Sequence, residues 1–179
     1  MAPTHNSNPG YPGRRKTLKT KIQRGVYAIG ATLIAAAMLG VPAQAHHSFS
    51  IFDAEVMKVF TGVVTRVNPD ANHLQIFFAP MNEERKNVLR GADGKPVVWA
   101  VEMTGSAQAA REGISVSTFA PGTVFSVGLH PLRSGEPAGA REGGMIRCPD
   151  KTPPAPGKHC DSVDGHKAYG QGGLPTPTE

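Results

Sequence analysis

The 179-residue chain carries 19 Lys and Arg against 14 Asp and Glu, a formal charge of +5. Six of those cations (Arg14, Arg15, Lys16, Lys19, Lys21 and Arg24) and none of the anions lie in residues 1–45, so residues 46–179 hold 13 basic and 14 acidic groups, net −1. That balance removes the concentrated cationic surface a nucleic-acid binder needs, and the 134 residues that remain allow one domain with one modest core.

Residues 1–45 read as a signal peptide. The basic run is followed by an apolar stretch from Val26 to Val41, and Val41-Pro42-Ala43-Gln44-Ala45 places small residues at the −3 and −1 positions of a leader-peptidase site. A membrane-spanning helix wants about 20 apolar residues. This stretch is shorter, holds Gly30 and Gly40, and ends in the cleavage motif, so no span is expected after signal removal. Arg14-Arg15-Lys16-Thr17-Leu18-Lys19 partly matches a twin-arginine signal, with Thr17 where an apolar residue is usual, and an ordinary secretory signal stays open beside it. Cleavage after Ala45 would make His46 the first residue of a periplasmic or secreted protein.

From there the residues predict a mainly β domain over 46–148. An arm, His46 to Glu55, offers Phe49, Ile51 and Phe52 as anchors. Val56 to Val67 is β-rich, with Gly62 in mid-run marking a bulge or sharp bend. Asn68-Pro69-Asp70-Ala71-Asn72 is a turn by composition. His73 to Phe78 forms a second strand with Leu74, Ile76 and Phe78 on one face. A polar connection follows, and a third strand runs from Val97 to Met103. Ser106 looks like the N-cap of a short helix, Ala107 to Glu112, that Gly113 stops. Thr123 to His130 alternates, with Val124 and Ser126 on one face and Phe125, Val127 and Leu129 on the other, and Pro131 ends it. A last strand runs from about Glu142 to Cys148. Three strands, a short helix and two more strands, the first long and bent, match a small five-stranded OB-like barrel. Another small antiparallel barrel or sandwich is the competing architecture. Residues 149–179 are rich in Pro and Gly and predict an irregular C-terminal tail, tethered near its start by a disulfide.

The two cysteines, Cys148 and Cys160, read as a disulfide in an exported protein. A metal pair with His159 and His166 is the alternative, but the spacing is not a specific zinc pattern.

An ordered set of short motifs then carries a family resemblance: His46-His47-Ser48-Phe49, Phe52-Asp53, Gly62-Val63-Val64, Asn68-Pro69, Trp99, Arg111-x-Gly113, Pro121-Gly122 and His130-Pro131-Leu132-Arg133-x-Gly135. It resembles an uncharacterised family of small exported bacterial proteins, a domain of unknown function, whose mature chains begin His-His-Ser-Phe. The resemblance covers roughly residues 46–148 and implies export and a small β domain. It implies no activity. Where the family reads Asn-Pro-His, this chain has Asp70, with the histidine at His73, so no role of that histidine is carried over.

His46 and His47 are the sharpest chemical feature. A terminal amine has a pKa of about 8 and can join an imidazole in chelating a metal. His46 could so bind a copper ion, with His47, His73 or His130 closing the site. Were Ala45 retained, a histidine third in the chain would also suit square-planar copper or nickel. The bland reading is a pair trailing a signal peptide. His130 otherwise reads as a strand-end residue with a satisfied ring nitrogen, Trp99 as a core aromatic rather than a groove lining, Asp53 and Glu55 as solvated charges, and Arg111 as solvent-facing or paired to the arm. Ser48, Ser106 and Ser126 sit in no nucleophile elbow, and the chain has no phosphate loop, dinucleotide fingerprint or His-Glu-x-x-His. The expectation is a non-enzymatic exported binding module for an unknown small ligand or envelope protein, with a periplasmic copper-binding protein as the alternative.

Overall fold

The computed structural model describes residues 49–69 and 73–178. The expected signal peptide, His46, His47, Ser48 and the middle of the turn after Asn68 lie outside the described residues. Six strands and one α-helix follow in order among the described residues: β1 (Lys58–Asn68), β2 (His73–Pro80), β3 (Trp99–Gly105), α1 (Ser106–Arg111), β4 (Val124–Pro131), β5 (Ala138–Arg147) and β6 (Lys167–Tyr169). β2, β1, β4 and β5 neighbour one another antiparallel and β3 joins β2, while a parallel pairing of β3 with β5 closes the circle. The result is a closed five-stranded barrel of OB type, with α1 between the third and fourth strands.

β1 is long because it serves two neighbours. Its first half, Lys58 to Val63, pairs with β4, and its second half, Gly62 to Asn68, pairs with β2. Gly62 sits at the handover. A Cβ there would lie 2.6 Å from Phe78 Cδ2 and 2.9 Å from the carbonyl oxygen of Ala79, so the strands can approach only because the side chain is absent. The break in register falls further on, between Val64 and Arg66, rather than at Gly62 itself.

The interior follows the period-2 pattern. Leu74, Ile76 and Phe78 of β2 and Phe125, Val127 and Leu129 of β4 are each at most 5% exposed and share one core cluster. Edge contacts knit it: Phe78 and Phe119 both stand nearly perpendicular to Phe125, at 5.3 and 5.6 Å between centroids. Trp99 packs against this core, 4.7 Å from the Phe60 ring. The helix begins one residue earlier than expected, with Gly105 rather than Ser106 as N-cap and no side-chain cap bond. It ends at Gly113 as foreseen, where Gly113 N–H donates to Ala110 O and Ile114 N–H to Ala109 O, burying Ala109 and Ile114 together.

Two expectations are corrected. β5 starts four residues before Glu142, because Ala138, Gly139 and Ala140 take up the parallel pairing with Ala100, Val101 and Glu102 that closes the barrel. Residues 149–178 are not merely an irregular tail. The Cys148–Cys160 disulfide tethers its start as expected, but beyond it Lys167–Tyr169 adds β6 to the edge of β5, Gly144 N–H donates to Gly173 O, and Thr178 bonds both ways with Met57 at the entry to β1. This strap covers the outer face of β4. Val124 and Ser126, which alternation turns away from the barrel interior, are therefore 4% and 0% exposed, Val124 in a second core with Met81, Ile146 and the two half-cystines.

Candidate functional site

The arm before β1 lies along the end of β4. Phe52 bridges Leu132, Asp53 N–H donates to Pro131 O at 2.8 Å, Arg133 N–H donates to Ile51 O at 2.9 Å, and the Arg133 guanidinium sits 3.6 Å from the Asp53 carboxylate. Phe52 is only 7% exposed, whereas Ile51 is 52% exposed, so Phe52 is the anchor among the described side chains.

Beside Phe52 the barrel wall opens. β3 and β5 pair over three residues only; past Glu102 and Ala140, β3 continues towards α1 while β5 turns along β4. The gap is a cleft of about 230 Å³ lined by Phe52, His73, residues 102–105, Ala140 and Arg141. An adjoining hollow of about 170 Å³ shares Phe52 and Glu102 and reaches under Ile51 to the small residues Ala100, Ala138 and Gly139.

Two polar side-chain pairs lie at the cleft. At its outer end His73 Nδ1 lies 2.8 Å from Glu102 Oε1, with both side chains partly exposed. At its inner end Arg141 Nη2 donates to Glu112 Oε2 at 2.7 Å, and these side chains are 7% and 11% exposed. Burial acts most strongly on Glu112 and would raise its pKa. The hydrogen bonds from Gln108 and Arg141, with the charges of Arg141 and Arg111, outweigh it and hold the carboxyl below its ordinary value. Neither member of this pair was singled out from sequence. They stand 29 residues apart in different elements, and no local pattern joins them.

His130 has its Nδ1 2.9 Å from Val56 O and its Nε2 4.0 Å from Glu142 Oε2. The register puts it in one cross-strand row with Ala140 and Glu102, two strands from the latter. His130 and His73 are thus not neighbours. Among the described residues no three His, Cys, Asp or Glu side chains gather where they could hold one metal ion. His46 and His47 lie outside the described residues. The alternative of Cys148 and Cys160 as metal ligands is overturned, since they are bonded to each other. His166 Nδ1 lies 2.9 Å from the carbonyl oxygen of Val163. Asp53 accepts from Glu55 N–H as well as pairing with Arg133. Arg111 spends its guanidinium on Gln108 Oε1 of its own helix, exposed, rather than on the arm.

Ser126 proves structural. Cys160 N–H donates to Ser126 Oγ at 2.9 Å, Ser126 Oγ lies 2.7 Å from Thr61 Oγ1, and Thr61 Oγ1 lies 2.9 Å from His159 Nδ1. Run from Cys160 towards His159, this chain gives every proton an acceptor, which makes Nδ1 the acceptor and leaves the His159 proton on Nε2. Burial, and then the charge of Arg85, push the His159 pKa down against the opposing pull of Asp161, in keeping with a neutral ring. The sequence signal was slight: one serine in the middle of an apolar strand.

No curated protein and no solved structure matches the chain. Residues 34–141, from before the arm to Arg141 on the cleft wall, match a family of unknown function, DUF6152, and the strap lies beyond the match. With more than half its length inside that match, the chain belongs to DUF6152.

Proposed function

We propose that the protein is a non-enzymatic binding module, exported to the periplasm or secreted, that takes a small ligand in the cleft between β3 and β5. The observation that carries this reading is the cleft itself: concave, apolar in its middle at Phe52, Met103 and Ala140, and polar at both ends. A cystine closing the strap favours an oxidising compartment. The hydroxyls of Thr61 and Ser126 are buried and committed to holding the strap, which favours binding over chemistry. Native mass spectrometry on protein recovered from its own producing cells tests the reading. A small-molecule adduct present on the wild type and lost in Ala140→Leu, on a chain whose first residue is His46, is the expected result. An adduct indifferent to Ala140→Leu removes the cleft from the proposal, and an intact leader on cytosolic material removes export.

The second reading is copper binding through the His46 amine and ring, with His47 and His130. It is favoured by the contact of His130 Nδ1 with Val56 O, which leaves Nε2 as the nitrogen able to face a metal. Spin resonance of the processed protein titrated with Cu(II) tests it. Tight binding lost both in His46→Ala and on N-terminal extension supports this reading; weak binding unaffected by the extension sinks it.

A further inference from the structure

We infer a second site, separate from the cleft, for a doubly charged tetrahedral oxyanion: phosphate or sulfate, free or carried on a small organic group. Its place is a hollow of about 280 Å³ that shares no residue with the cleft, with Ser117, Thr118, Thr123, Arg147, Asp150 and Lys151 as its polar lining. Three cations stand here without a counter-ion. Arg147 lies directly opposite Lys167 across the β5–β6 ladder, so two like charges share one face, which costs stability unless an anion answers them. Asp150 and Lys151 both take left-handed backbone, with φ of 44° and 59°. Lys151 Nζ comes back to 3.4 Å from where a Cβ on Gly122 would stand. Among the described residues none of these three cations forms an ion pair, and Asp150 pairs with neither lining cation. Setting Asp150 against them leaves two positive charges for a dianion to answer. Arg147 Nη1 donates to Thr118 O at 3.1 Å, which holds the guanidinium on the wall and leaves its other N–H groups for a guest.

Thr123 supplies the independent sign of a ligand. It is 7% exposed and its backbone is spent, N–H donating to Ala120 O and the carbonyl accepting from Val64 N–H. Its hydroxyl has no partner among the described residues, yet it is not sealed in, since the one enclosed unpartnered side-chain atom there belongs to Arg141. A threonine so deeply buried on the wall of the hollow therefore keeps an open hydroxyl, which native proteins seldom leave unanswered. Ser115 Oγ lies 3.0 Å from Ser117 Oγ and 2.9 Å from Thr118 Oγ1, and accepts Thr118 N–H. With one proton and one lone pair remaining, Ser115 donates to one of those two hydroxyls, and that one keeps its own proton for a guest. Guanidinium, ammonium and hydroxyl donors thus come from separate segments around one hollow. Four oxygens about a tetrahedral centre meet that spread better than the two coplanar oxygens of a carboxylate.

Orthophosphate, sulfate, glycerol 3-phosphate and acetate are each titrated into the full processed protein at one ionic strength and mildly alkaline pH, followed by nitrogen-resolved NMR. The tetrahedral oxyanions are expected to move the Thr118, Thr123, Arg147 and Lys151 backbone amides and the Arg147 guanidinium signal saturably. They should bind at least tenfold more tightly than acetate. Glycerol 3-phosphate binding more tightly than orthophosphate assigns the site to a phosphomonoester; equal or weaker binding assigns it to the free ion. Thr123→Val removes a hydroxyl that bonds nothing in the protein alone. It should leave the melting temperature without anion unchanged and weaken oxyanion binding about tenfold. Lys151→Gln should weaken binding at least threefold, whereas Lys86→Gln, at another exposed lysine, should not. Ala140→Leu in the cleft should leave this binding untouched, so the two sites stand or fall separately. Acetate binding as tightly as orthophosphate reduces the effect to charge screening and overturns the inference. So does the absence of saturable shifts with every oxyanion, or an affinity that Thr123→Val and Lys151→Gln leave intact. Should Thr123→Val not fold, the acetate comparison and Lys151→Gln against Lys86→Gln decide, equal weakening by the two lysine variants overturning the site.

Discussion

Replacing Thr61 with valine isolates what the hydroxyl chain contributes, because the two side chains have nearly the same shape. Thr61 is 1% exposed and its neighbour Ser126 is 0% exposed. In Thr61→Val the Ser126 proton loses its acceptor with no water in reach, a loss of about 1–3 kcal/mol for a buried orphan. His159 Nδ1 loses its donor too, but that ring is half-buried and can turn to water, which limits the second loss to about 0.5–1 kcal/mol. A small gain from burying a methyl in place of a hydroxyl offsets part of this, leaving a net cost of about 2–3 kcal/mol. In urea the midpoint should fall with the slope unchanged, and for a domain of this size the melting temperature should drop by roughly 6–12 °C. Thr61→Ser is the control. It keeps the chain of hydroxyls and forfeits only a methyl group, so it should cost about 1 kcal/mol. If Thr61→Val proves no worse than Thr61→Ser, the assigned proton order is wrong and the strap is held by packing alone.

Reducing the disulfide, whose half-cystines stand 12 positions apart in sequence, should cost about 3 kcal/mol by loop entropy, read as a lower urea midpoint; an unchanged midpoint would show that the strap is held without it. Gly62→Ala drives a Cβ against the Ala79 carbonyl, which cannot yield as a flexible side chain would, and should cost about 1–3 kcal/mol in the same assay. Because the folded state lowers the His159 pKa, the unfolded chain binds the extra proton: stability is whole above the unfolded value of about 6.5 and declines as pH falls from there towards the folded value. His159→Gln should flatten that limb of the stability profile, and an unaltered limb assigns it to another group. Glu112 has its pKa held down, so its contribution is present above about 4.3 and vanishes as pH falls through the lower folded value. Glu112→Gln strands the buried Arg141 charge and should cost about 3 kcal/mol or more at neutral pH, with a weaker acid dependence; a change under about 1 kcal/mol would mean the guanidinium finds water.

Local pattern was enough for the elements that bury one face. The alternation of Leu74, Ile76 and Phe78 and the Gly113 stop both persist in the fold, since each depends on neighbours within a few residues. The order of strands about one short helix pointed to an OB-like barrel, and the two cysteines to their bond. What the residues could not disclose lies in pairings between distant segments. Ala138 to Ala140 carry no strand signal of their own and become strand only because β3 lies beside them. Alternation placed Ser126 on the face opposite Phe125, Val127 and Leu129 without saying what covers that face, and Arg141 and Glu112 meet only through closure of the barrel. The sequence by itself therefore determined the periodic strands, the helix stop and the cystine. The tertiary structure alone decided the cleft and the covered outer face, because both arise where segments far apart along the chain share one surface, and a single segment holds no record of the partner that will cover it.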